Sequence, residues 1–92
     1  MANFIVTWDL NGPTPSHAEM DELIRRVSIQ WARILETVWW VNYSGTLQQL
    51  LNELKASIGG EDLLLVIEAK DAGWTKLLID GKPLIDAWAK AA

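Results

Sequence analysis

The residues of this chain with chemical potential cluster near its start. In "FIVTWDLNGPTPSH", Phe4 to His17, an alternating apolar stretch runs into a carboxylate, Asp9, and then into a Gly- and Pro-containing loop that ends before a histidine. Two roles fit an aspartate at the end of a strand. It can accept hydrogen bonds from the backbone amides of the Asn11-Gly12 turn, as Asp does in many loops. It can also ligate a divalent ion. A single carboxylate holds Mg2+ weakly, because that ion takes octahedral oxygen ligands and uses one or two carboxylates plus waters. A two-fold axis beside Asp9 would supply the second carboxylate, and the metal would then activate water for in-line attack on a phosphodiester.

Other candidates surround Asp9 in the sequence. His17, in the first turn of a helix, is a general base if a site faces it and a surface residue otherwise. Asn11 and Ser16 could bind a phosphate at the positive end of that helix, yet Ser16 also heads a capping box with Glu19. Glu36 either points toward Asp9 or is a solvated strand residue. Trp39 and Trp40 are adjacent on a strand and must face opposite sides. One belongs to a core, and the other stacks on a nucleobase or seals a dimer interface. With one histidine, no cysteine and no Gly-rich phosphate loop, most hydrolase templates, thiolate catalysis and thiolate zinc sites are removed.

The elements that must position these residues follow from periodicity. Phe4, Val6, Trp8 and Leu10 alternate with Ile5, Thr7 and Asp9, which predicts a strand with one strongly apolar face. Beyond Ser16, the spacing of Met20, Leu23, Ile24 and Val27 predicts an amphipathic helix. "WARILETVWWVNY" is β-branched and aromatic, so Ala32 to Tyr43 reads as two short strands or one strongly bent strand. Thr46 and Gln49 form a second capping box, and Leu47, Leu50, Leu51, Leu54 and Ile58 make an apolar stripe ended by Gly59 and Gly60. Leu63 to Ile67 reads as a strand apolar on both faces, which calls for a second molecule over one face or edge. The tail predicts a short strand near Lys76 to Ile79, an Asp80-Gly81 turn and a helix from Pro83.

Ninety-two residues suffice for one domain, 1–92, with a modest core. Half the residues are hydrophobic and six are tryptophan, more large apolar surface than such a core needs, which points to a homodimer. A net charge of −4 disfavours nucleic acid as the main partner. A protein partner or a small nucleotide remains open. The lack of cysteine fits a reducing cytoplasm, and the longest apolar run, "LLLVI", is too short to span a membrane. The element order predicts an α+β fold, a ferredoxin-like βαββαβ sandwich with an appended C-terminal strand and helix. Both main helices cover one sheet face, and the other, with Asp9, stays open for a partner.

"IVTWDL", the capped helix after it, "ETVWWVN", the helix from Thr46 and "DLLLVIE" together resemble the CRISPR-associated Cas-two family and its SinR-like and VapD-type relatives, over roughly residues 3–70. The resemblance implies a dimeric ferredoxin-like protomer and an aspartate ending the first strand, matched by Asp9, that binds Mg2+ or Mn2+ between protomers for phosphodiester cleavage. Trp8 stands where that family usually has tyrosine, "VWWV" replaces its Ser-Val-Phe segment, and the basic residues of its first helix are thinned to Arg25 and Arg26. The expectation is therefore a small cytoplasmic, dimeric, non-catalytic module for partner binding or assembly. The alternative is a metal-dependent endonuclease using Asp9 from each protomer.

Overall fold

A computed structural model describes residues 2–12 and 15–91; Pro13 and Thr14 of the first loop lie outside the described residues. The elements are β1 (Ala2–Asp9), α1 (His17–Val27), β2 (Gln30–Leu35), β3 (Val38–Tyr43), α2 (Leu47–Lys55), β4 (Leu63–Glu68) and α3 (Gly81–Ala91). The fold is α+β. Its four strands form one antiparallel sheet in the order β2-β3-β1-β4. Of the two possibilities for Ala32 to Tyr43, two strands form, and they turn at Glu36 and Thr37.

Both capping boxes close as their spacing predicts. Glu19 N donates to Ser16 Oγ while Ser16 N donates to Glu19 Oε1, and Thr46 and Gln49 exchange the same pair. Each box satisfies two of the amides that a helix start leaves unpaired. Gly45 precedes the second box because a Cβ there would stand 2.5 Å from both Gln49 Oε1 and the Tyr43 ring.

Strand alternation then sorts the side chains into two cores. Phe4, Val6 and Trp8 of β1 and Trp39, Val41 and Tyr43 of β3 pack beneath Met20, Leu23 and Ile24 of α1 and Leu50 and Leu54 of α2. Trp8 stacks on Trp39 at 6.3 Å, and the indole N–H of each is buried with no partner among the described residues. Trp31 leans on Trp39 at 5.8 Å under the Arg25 guanidinium, which closes the β2 side of this core. Within the α2 stripe, Leu51 is only half-buried and falls outside the cluster.

The opposite face is not open as expected. Leu84 of α3 joins Trp40 and Ile34 in a second core, with Ile5, Val38, Ala87 and Trp88 packed against it. A polar chain fixes this cap: Trp40 Nε1 donates to Asn3 Oδ1 at 2.9 Å, and Asn3 Nδ2 donates to the Trp88 carbonyl at 3.2 Å. Trp39 and Trp40 are therefore both buried, at 2% exposure each, and neither is left over for a base or a partner.

The tail departs from expectation in two further ways. Lys76 to Ile79 forms no strand and contributes one bond, from Leu78 N to Ile34 O at 2.9 Å. The β2–β3 register shifts between Arg33 and Leu35, so the outer edge of β2 lacks the regular spacing a further strand needs. Asp80-Gly81 makes no hairpin turn either. Asp80 Oδ1 accepts from Lys82 N at 3.2 Å, so Asp80 acts at the start of α3, and Pro83 falls in the first helical turn, where no amide is missed.

Candidate functional site

The loops at the C-terminal end of β1 are organised by Asp62 and not by Asp9. Asp62 Oδ1 accepts from Asn11 N at 2.7 Å and Gly12 N at 3.1 Å, while Oδ2 accepts from Gly59 N at 2.8 Å. Asn11 Nδ2 adds a bond to the Glu61 carbonyl at 3.0 Å. The amides of Gly59, Gly12 and Asn11 stabilise the anion and hold the Asp62 carboxyl below its ordinary range. The turn-forming role considered for Asp9 thus belongs to a residue some fifty positions later. Its local signal was the Gly59-Gly60-Glu61-Asp62 loop, but only tertiary contact brings Asn11 to it.

Asp9 ends β1 exposed, in register with Leu63. Among the described residues no three His, Asp or Glu side chains come together in a way that could hold a metal. Among the described residues Asp9 therefore belongs to no cluster of three such side chains, and one or two carboxylates leave most of an octahedral oxygen site to water.

His17 and Glu36 are brought together. With Trp8, Asp21, Arg33 and Thr37 they line a shallow cleft of about 390 Å3 between the start of α1 and the β2–β3 turn. The turn is pinned by Thr7 Oγ1, which donates to the Thr37 carbonyl at 2.8 Å. Among the described residues no hydrogen bond or ion pair joins His17, Asp21, Arg33 and Glu36, so the cleft holds no prearranged base and nucleophile. Asp9, Asn11 and Ser16 do not line it. Asn11 is held by the Asp62 loop and Ser16 by its capping box.

The feature sequence reasoning placed correctly but for an incomplete reason is β4. Leu64 and Val66 pack on the main core, while Leu63, Leu65 and Ile67 point to the α3 side of the sheet. The cap over β2, β3 and β1 leaves them out, and they stand 60%, 53% and 46% exposed. Among the described residues β4 is also an edge strand, paired only with β1. Its apolar character on both faces thus reflects one core-facing row and one uncovered row.

No family model, curated protein or solved structure matches the chain. Among the described residues no helix is long and apolar enough to cross a membrane.

Proposed function

We propose that this protein is a self-associating, non-catalytic assembly module built on a ferredoxin-like protomer, with β4 as its contact surface. The observation that carries the proposal is the exposed row Leu63, Leu65 and Ile67 on an edge strand. Soluble monomers blunt such an edge with Lys, Pro, a bulge or an inward charge, and Leu63 to Ile67 has none of these. The strand order β2-β3-β1-β4, with α1 and α2 on one face, supports the ferredoxin-like reading, and α3 is then an addition on the other face. A Cas-two-like kinship rests on the sequence stretches quoted above and is consistent with that order.

The endonuclease alternative draws less support. Among the described residues Asp9 joins no group of three acidic or histidine side chains, and the chain carries a net charge of −4, with no excess of cations to gather phosphates. Light scattering tests the assembly reading. At micromolar concentration the wild type should run at twice its 10.3 kDa mass, and Leu65→Lys should run as a monomer with unchanged far-UV circular dichroism. A wild type that stays at 10.3 kDa across the concentration range sinks the proposal.

A further inference from the structure

The free edge of β4 carries enough geometry to specify how a second copy docks, on the premise that the chain self-associates. Ala69 N donates to Asn3 O at 2.9 Å, continuing the β1–β4 register one step beyond Phe4↔Glu68. In an antiparallel ladder, each residue turns its N–H and C=O to the same side, and successive residues alternate. Ala69, Ile67, Leu65 and Leu63 therefore turn their amides toward β1. Leu64, Val66 and Glu68 turn theirs to the unoccupied edge.

We infer that two copies of this chain join β4 to β4, antiparallel, about a two-fold axis that passes beside Leu65. In that register Leu64 exchanges both ladder bonds with the partner's Val66, and Val66 does so with the partner's Leu64. Leu65 faces the partner's Leu65 as a non-hydrogen-bonded pair, and Leu63 faces the partner's Ile67. Every member of the exposed row gains an apolar neighbour, and the interface uses the same patch on both copies, as a two-fold requires. A slip of the axis to Val66 would set Glu68 opposite the partner's Leu64 and Leu63 opposite the partner's Ala69. The residues themselves select the first register. Its one unfavourable feature is Asp62 opposite the partner's Glu68 at each end, and the Asp62 carboxylate is turned instead to its own loop amides.

This pairing has a consequence for Asp9. The two β1 strands lie three interstrand steps apart, and the two Asp9 positions are offset by four residues along the strands, because each is in register with Leu63. At strand spacings of about 4.8 Å and rises of about 3.4 Å per residue, the two carboxylates are roughly 20 Å apart, too far to share an ion. The β4 dimer and a two-aspartate metal centre exclude each other.

The chain has no cysteine, so single introduced cysteines report the register cleanly. Facing non-hydrogen-bonded positions have Cβ atoms close enough for a disulfide. Under mild oxidation, Leu65→Cys should cross-link most of the protein as a dimer on non-reducing gels. Leu63→Cys and Ile67→Cys should each fail alone and cross-link when mixed. A wild type dimeric by light scattering whose Leu65→Cys variant stays uncross-linked, or in which Val66→Cys cross-links instead, overturns this register and leaves self-association standing. A monomeric wild type overturns the premise itself. Leu63, Leu65 and Ile67 are exposed while Val66 packs on the main core, so circular dichroism of each variant checks that the fold is kept.

Discussion

Three backbone amides converge on Asp62, and this fixes how the molecule should respond to acid. Its folded carboxyl lies below the ordinary value of 3.8, so the stabilisation it gives is complete above that value and is lost as pH falls through the folded one. Asp62→Asn keeps one acceptor for Asn11 and Gly12 but turns an N–H2 group toward Gly59 N–H. Thermal melting should show the variant less stable than wild type at neutral pH, with the gap closing below about pH 4. An unchanged gap at all pH values would mean that the loop is held by something other than this anion. Asn3 makes a second single-residue prediction. Its side chain satisfies both the buried Trp40 indole and the Trp88 carbonyl, so Asn3→Ala leaves both unpaired. The expected loss, read from urea melts, is about 1–3 kcal/mol.

At the scale of elements, α2 shows why helical spacing alone overstates a buried face. The stripe from Leu47 to Ile58 is continuous in sequence, but its burial is graded: Leu50 and Leu54 are fully buried, Leu47 and Ile58 pack partly buried against the same core, and Leu51 is partly buried outside that cluster. Leu54→Ala should therefore cost about 2–5 kcal/mol, because it leaves a cavity in the main core. Leu51→Ala should cost about 1 kcal/mol or less. Equal urea midpoints for the two variants would contradict this division. The α3 cap follows a related rule. Its residues Leu84, Ala87 and Trp88 show helical spacing, but nothing local says which sheet face that stripe covers.

For the whole molecule, the acidic charge and the apolar edge oppose each other. Two protomers of charge −4 repel, and salt screens that repulsion while leaving apolar burial intact. The proposed β4–β4 pairing should therefore strengthen between low and physiological ionic strength. Sedimentation at the two salt concentrations checks this. Weakening with salt would point to an interface held by ion pairs instead of the β4 row.

Sequence alone was enough for what depends on neighbours in the chain. The Ser16–Glu19 and Thr46–Gln49 boxes close within one helical turn, and the alternation of Phe4, Val6 and Trp8 marks the core face of β1, because both follow from local backbone geometry. The exposed side of β4 was legible as an excess of apolar residues. What the sequence left open was decided by contacts between distant segments. Asp62, and not Asp9, takes the amides of Asn11 and Gly12, since the α2–β4 loop folds back against the end of β1. Trp40 is buried because α3 crosses the face that strand alternation alone leaves bare. A carboxylate or an indole shows its chemistry in its residue type, but its partner is set by the packing of elements that lie far apart in the chain.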